Sequence, residues 1–234
     1  MRQGARRYRL CHVSGHTRPQ HHLSNIGLGA SAGAAGNFLA SIDNLSPNAM
    51  KSVIDIDVLG SYHTLKATLP NLLKSASSPS PAGRIIFISA TLHYAGLPLQ
   101  SHVGMAKAAV DALSNSVAIE YGPRGITSNI IAPGPIGDTE GMARLSRKEA
   151  EQQGMKLVPL GRWGKVKEIA DATVYLFADT GDYVNGATIV VDGGAWRTLG
   201  AANSGLGLPY PDFLTSGEEV TGVKGGKTKR ESKL

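Results

Sequence analysis

Two hydroxyl side chains follow a short apolar run of the sequence and could donate hydrogen bonds to a ligand. Residues 84–88 (RIIFI) form a β-branched and aromatic run, typical of a buried parallel strand. Ser89 follows this run directly, and Thr91 comes two residues after Ser89. Ligands of open α/β sheets bind at the carboxyl ends of strands, which makes both hydroxyls candidates for a site. Hydroxyls at such places also cap loops, and this alternative stays open.

One charged residue stands among apolar residues of a predicted helix. Lys107 lies among Ala106, Ala108 and Ala109, directly before the apolar face of the helix. A lysine supplies positive charge to a site. It could instead be a solvated residue on the helix surface.

Alternating helices and strands would position these residues. Ser46-Pro47 starts a helix, and residues 48–74 are compatible with one long helix that Gly60 weakens and Pro70 could kink or shorten. Apolar runs predict strands at 84–88, 127–131 and 187–191. Helical spacing predicts a helix at 166–178 and another that ends at Gly122-Pro123 and carries Ala106, Ala109, Val110, Leu113 and Val117. This alternation predicts an α/β fold with a parallel sheet covered on both faces.

Composition limits the class of protein. The 234 residues suit one domain, and a hydrophobic content of 41% is enough for a core. No apolar run approaches the roughly 18 residues that span a bilayer. The single cysteine, Cys11, cannot form an internal disulfide, which suits a reducing compartment. The net charge of +6 comes from basic residues near both ends, a pattern that disfavours nucleic-acid binding by a folded surface.

The first 31 residues show no convincing periodicity and no acidic residue. His12 and His16 could share a helix face, but no carboxylate or paired cysteine completes a metal site, so no metal is predicted. An arginine-rich start without acidic residues can be a mitochondrial transit peptide, although Pro19 weakens the required amphipathic helix. We therefore interpret residues 1–31 as an unstructured leader.

The last residues carry a possible address. Residues 201–234 are rich in glycine and end in Ser232, Lys233 and Leu234. This tripeptide at a carboxyl terminus is the signal that the peroxisomal import receptor reads. The alternative is an arbitrary polar tail. The sequence thus predicts a leader (1–31), a folded region (32–200) and a targeting tail (201–234).

Several motifs follow one another in an order and spacing typical of one enzyme family. They are residues 34–38 (AAGNF), residues 104–109 (GMAKAA) with Lys107, residues 133–136 (PGPI) and residues 190–194 (VVDGG). In these motifs the chain resembles the short-chain dehydrogenase/reductase family. The resemblance implies a Rossmann-like doubly wound parallel sheet and an oxidoreductase.

A second set of motifs resembles the peroxisomal 2,4-dienoyl-CoA reductases within that family: residues 55–57 (DID) followed by Gly60, and residues 90–92 (ATL), 138–141 (DTEG) and 194–196 (GAW). Val103 stands four residues before Lys107, where the general family pattern has its catalytic tyrosine. Valine cannot donate a proton, so carbonyl reduction through a tyrosine acid is disfavoured. The peroxisomal reductases also lack this tyrosine.

The resemblance implies NADPH-dependent reduction of 2,4-dienoyl-CoA to trans-3-enoyl-CoA in peroxisomal β-oxidation of unsaturated fatty acids. Hydride would add to C5 and a proton to C2. Asp57 matches the family's acid–base position and would act through a bound water; the alternative is an exposed helix carboxylate. Lys107 would bind the nicotinamide ribose hydroxyls. The turn formed by Pro133, Gly134, Pro135 and Ile136 would meet the nicotinamide.

The resemblance also implies contacts with the acyl-CoA from five positions: Phe38, Ser46, Pro47, Asn48 and Arg144. Phe38 could equally belong to the core, and Arg144 could be solvated, although a guanidinium suits a CoA phosphate. The helices at 48–74 and 101–121 resemble those that the family pairs across a two-fold axis. We therefore expect a homo-oligomer.

The family pattern begins only near Ala32. Gly27 and Gly29 are the glycine-spaced pair before it, and no convincing strand and helix flank them. We expect the first strand–helix units, which cradle the cofactor pyrophosphate, to be missing, and the 234 residues to bind NADPH poorly. Two alternatives to an active reductase stay open: an inactive fragment that binds acyl-CoA or assembles with other copies, and another short-chain enoyl or carbonyl reductase.

Overall fold

The computed structural model describes residues 38–76, 83–137, 139, 141–142 and 148–198. Its first elements form one continuous helical run: α1 (Pro47–Val53), a π-helical segment (Ile54–Leu59) and α2 (Gly60–Ser75). Ser46 caps the run, since its Oγ accepts a hydrogen bond from Ala49 N at 3.1 Å, and Pro47 is the first helical residue. The predicted long helix is confirmed, with Pro70 inside it.

The π segment is the feature that the sequence pattern did not predict. The N–H of Gly60 donates to the carbonyl of Asp55, five residues back, instead of four. The β-branched residues of this segment are weak helix formers, which makes a local change of helix type less costly. Within this segment Ile56 and Leu59 are exposed and Asp57 is buried.

Three parallel strands form the sheet of the described residues in the order β1 (Gly83–Ile88), β2 (Ile126–Pro133) and β3 (Thr188–Val191). Gly83 pairs with Ile126, and Ile130 pairs with Thr188. Each strand lies where the apolar runs predicted one. Parallel neighbours need crossover connections, which the helices provide.

The remaining helices are α3 (Leu92–Ala95), α4 (Ser101–Tyr121), α5 (Lys148–Lys156) and α6 (Val166–Phe177), with 3₁₀ turns at Gly122–Arg124 and Asp179–Gly181. The helix predicted before Gly122 is confirmed as α4. Its buried face includes Ala106, Val110 and Val117. No helix in the described ranges is long and apolar enough to cross a membrane.

The two faces of the sheet are covered by different helices. On one face, Phe87 of β1 packs with Leu65 of α2 and with Val110 and Val117 of α4. On the other face, the buried Arg84 donates hydrogen bonds to the carbonyls of Leu176 and Ala178, at the end of α6. Arg84 and Phe87 point to opposite faces because side chains alternate along a strand. The predicted doubly covered sheet is confirmed.

Candidate active site

The carboxyl ends of the three strands meet at one edge of the sheet. There, backbone hydrogen bonds join the residues that follow each strand: Ser89 N donates to Ile131 O at 2.8 Å, and Gly134 N donates to Val191 O at 3.0 Å. The segment Pro133–Ile136 therefore lies at the edge where parallel α/β sheets bind ligands.

Thr91 is tied to this segment by two donors. Its N–H and its Oγ1 both donate to Pro133 O, at 2.9 and 3.3 Å. The hydroxyl of Ser89 contacts Nε2 of His93 at 3.3 Å. Thr91 is 2% exposed and Ser89 is 3% exposed, and both hydroxyls make contacts within the protein. These contacts favour loop capping over catalysis, the two interpretations that the sequence left open.

Gly134 allows two turns to approach closely. A Cβ at this position would lie 2.4 Å from Cβ of Asp192, which follows β3. The Asp192 carboxylate in turn accepts hydrogen bonds from Gly194 N at 2.8 Å and Trp196 N at 2.7 Å. Only glycine fits between these turns without displacing one of them. The predicted cofactor segment is held by backbone contacts that a side chain would disrupt.

Asp57 and Lys107 come together at the same edge. Nζ of Lys107 lies 3.5 Å from Oδ2 of Asp57 and donates to the carbonyl of Ile88, at the end of β1, at 3.4 Å. Asp57 projects from the π segment and Lys107 from α4. The structure thus brings together the two residues that the sequence singled out as catalytic candidates.

Burial and the neighbouring Lys107 act in opposite directions on the pKa of the Asp57 carboxyl. The Asp57 side chain is 3% exposed, and Oδ1 has no hydrogen-bond partner. Burial raises the pKa of the carboxyl above its ordinary value, while the charge and the hydrogen bond of Lys107 oppose that rise. A buried carboxyl with a raised pKa beside a lysine can hold and release a proton at the sheet edge.

The predicted substrate residues divide into two groups. Phe38 is half-buried, its carbonyl accepts from Nε2 of Gln100 at 2.8 Å, and its ring stacks on His102. Ser46, Pro47 and Asn48 are exposed at the start of α1, at the other end of that helix from the π segment. Arg144, the leader 1–31 and the tail 201–234 lie outside the described residues.

Comparison with known proteins identifies the family. The sequence model described as enoyl-(acyl carrier protein) reductase matches residues 23–195. The chain belongs to the short-chain dehydrogenase/reductase family. A short-chain dehydrogenase from Bacillus anthracis is 35% identical, with a TM-score of 0.61 over 70% of this chain and 62% of that chain. A gluconate 5-dehydrogenase from Burkholderia cenocepacia, solved with NADP and tartrate, is 26% identical, with a TM-score of 0.63 over 68% of this chain and 61% of that one.

Within this family, the similar curated proteins include peroxisomal 2,4-dienoyl-CoA reductases that produce (3E)-enoyl-CoA. The one from Saccharomyces cerevisiae is 53% identical over 71% of this chain and 55% of its own length. The one from Arabidopsis thaliana is 48% identical over 70% of this chain and 56% of its own length. The resemblance inferred from the motifs is confirmed. The chain spans about half the length of these curated relatives.

Val103 fills the position that holds the catalytic tyrosine in the general pattern of short-chain dehydrogenases. It is buried on α4, one helical turn before Lys107. An apolar side chain there supplies no proton, whereas the Asp57 carboxylate lies 3.5 Å from Nζ of Lys107. Among the described residues, no cluster of three or more His, Cys, Asp or Glu side chains could hold a metal ion.

One polar cluster beside this edge was not predicted from the sequence. Oδ2 of Asp111 is 2.8 Å from both Nε2 of His93 and the hydroxyl of Tyr94. These two contacts join α3 to α4. Burial and the Asp111 carboxylate raise the pKa of Tyr94 to about 12. No periodicity signals such a cluster, because α3 is a short helix whose contacts are set by tertiary packing.

Proposed function

We propose that this protein acts as an NADPH-dependent 2,4-dienoyl-CoA reductase, which reduces 2,4-dienoyl-CoA to trans-3-enoyl-CoA in peroxisomal breakdown of unsaturated fatty acids. One observation carries the proposal: a buried Asp57 with a raised pKa stands beside Lys107, while Val103 removes the usual tyrosine acid. The names of the similar curated proteins give the substrate class.

The residues present fit the nicotinamide end of the cofactor. An ammonium group has three N–H donors, and Lys107 directs its Nζ toward Ile88 O and Asp57, which leaves capacity for a ribose hydroxyl. Pro133–Ile136, held by Thr91 and the Asp192 turn, would face the nicotinamide. When bound, NADPH supplies the hydride that adds to C5. A gluconate 5-dehydrogenase of the same fold was solved with NADP, which supports this choice.

In the proposed reaction Asp57 delivers the proton that C2 requires, directly or through a bound water. Its raised pKa keeps more of the carboxyl protonated than an ordinary aspartate would. Lys107 adds positive charge where negative charge develops on the thioester oxygen. The acyl-CoA would contact Phe38, Ser46, Pro47, Asn48 and Arg144, with the guanidinium on a phosphate.

The experiment measures NADPH oxidation with a 2,4-dienoyl-CoA. It uses the 234-residue chain and an extended chain, in which the part of the Saccharomyces cerevisiae relative that precedes its matched region is joined ahead of the same residues. Formation of 3-enoyl-CoA by the extended chain is the expected result. An extended chain that folds and binds NADPH yet does not reduce the dienoyl-CoA would rule the proposal out and favour an acyl-CoA-binding or assembly role.

We also propose that the protein enters peroxisomes through Ser232, Lys233 and Leu234. The similar curated proteins carry peroxisomal names, which supports this address. A fluorescent protein fused ahead of the chain is expected to give punctate peroxisomal fluorescence, and deletion of Leu234 is expected to make it diffuse. A punctate signal after the deletion would show that another segment is the address.

A homo-oligomer is the proposed assembly. Large apolar side chains are exposed on two neighbouring helical runs, among them Ile56 and Leu59 of the π segment and Met105 and Ile119 of α4. Such surfaces suit an isologous contact between two copies. Light scattering on the purified chain is expected to give at least twice the monomer mass. A monodisperse monomer at micromolar concentration would contradict the proposal.

A further inference from the structure

The segment Leu99–His102 clamps the segment Phe38–Ala40 in three places. Ala40 N donates to Leu99 O at 3.1 Å, Nε2 of Gln100 donates to Phe38 O at 2.8 Å, and the rings of Phe38 and His102 stack at 4.2 Å with an interplanar angle of 12°. Two backbone groups and one aromatic ring are therefore fixed together. The clamp joins the segment that carries Phe38 to the start of α4.

The clamp includes a strained residue. Leu99 has φ of 65°, in the left-handed region that favours glycine. Strain of this kind persists where surrounding contacts over-determine the backbone, and it concentrates at functional sites. Here the contacts with Ala40 and Phe38 lie on either side of the Leu99–Gln100 peptide. The contacts with Phe38–Ala40 therefore stabilise the strained backbone at Leu99.

His102 is the unexpected member of the clamp. Its side chain is 0% exposed, and neither ring nitrogen has a hydrogen-bond partner. Buried polar atoms without partners are unfavourable, and a phenylalanine could stack on Phe38 without that penalty. Packing alone therefore does not explain a histidine here. An unpartnered buried polar group calls for an explanation, and a partner that arrives with a ligand supplies one.

We propose that His102 is a positioning residue for the acyl-CoA, and that its ring nitrogens gain a hydrogen-bond partner when the substrate binds against Phe38. This inference rests on the proposed acyl-CoA substrate. The thioester oxygen of an acyl-CoA, and a water bound to it, provide such partners. Because His102 and Lys107 lie on the same helix, substrate contact at Phe38 also fixes the end of α4 that bears Lys107.

The test separates a positioning role from a structural one. His102→Phe keeps an aromatic ring and removes two unpartnered nitrogens, so Tm of the 234-residue chain is expected to rise by about 2–4 °C. Affinity for decanoyl-CoA, a saturated and unreactive probe, is expected to fall about 3- to 10-fold by calorimetry, the loss of one hydrogen bond. Free CoA serves as the reference ligand. His63→Phe, at an exposed histidine of α2, is the matched control and is expected to change neither quantity.

A second variant tests the same ring stack if His102→Phe fails to fold. Phe38→Leu removes the ring stack from the other side and is expected to weaken decanoyl-CoA binding, with no further loss when it is combined with His102→Phe. Unchanged decanoyl-CoA affinity in folded His102→Phe overturns the inference, as does a parent chain that binds decanoyl-CoA no better than CoA. If decanoyl-CoA binding depends on His102 but the extended chain reduces no dienoyl-CoA, the inference stands and the proposed reaction fails.

Discussion

Replacing Asp57 with alanine is expected to lower kcat of the extended chain by about 10²- to 10⁴-fold, with NADPH affinity nearly unchanged. The reason is chemical: hydride addition at C5 leaves a negative charge that a proton at C2 must resolve. Asp57 is buried, has a raised pKa and keeps Oδ1 without a protein partner. Steady-state NADPH oxidation and direct NADPH titration measure the two effects separately.

Two further variants give this prediction its controls. Asp57→Asn preserves the volume of the side chain but cannot donate a carboxyl proton, so it is expected to be as inactive as Asp57→Ala. Asp55→Ala changes an acidic residue of the same π segment that pairs with Lys51 near the surface, and it is expected to retain activity. If Asp57→Ala turns over like the parent, the proton comes from another group, and this site assignment is wrong even though the family is correct.

Replacing Lys107 with alanine in the extended chain is expected to weaken NADPH binding about 10- to 100-fold, in line with a lost hydrogen bond from a charged group, and to lower kcat as well. The two losses together distinguish Lys107 from Asp57, whose removal is expected to affect kcat alone. Fluorescence titration of NADPH and steady-state rates provide the measurement. Lys167→Ala, on the exposed face of α6, is the control.

Loss of Lys107 is also expected to make stability depend more strongly on pH. Lys107 lowers the pKa of Asp57 against the larger effect of burial, so its removal raises that pKa further. A carboxyl whose folded-state pKa is raised contributes stability that is lost as the pH rises through that pKa. The drop in Tm of Lys107→Ala relative to the parent should therefore be larger at about pH 8 than at about pH 5. A drop that is equal at both values would mean that Lys107 does not act on Asp57.

Local signals in the sequence predicted most elements of the described fold. The β-branched run 84–88 became β1, and the helical spacing of Ala106, Val110 and Val117 became the buried face of α4. Ser46-Pro47 marked a helix start that the structure bears out through the cap on Ala49. These features depend on residues a few positions apart, so hydrogen bonding and hydrophobic periodicity within a segment are enough to specify them.

The sequence by itself determined the elements, the family motifs and the identities of Asp57 and Lys107 as candidates. Only the tertiary structure decided that these two side chains lie 3.5 Å apart, because strand register and helix packing bring α4 against the π segment. The same holds for the stack of Phe38 on His102 and for the contacts of Asp111 with α3. Such contacts join residues that are distant along the chain, so the periodicity of the sequence does not predict them. The pKa of Asp57 is raised by burial, and burial is a property of the packed fold.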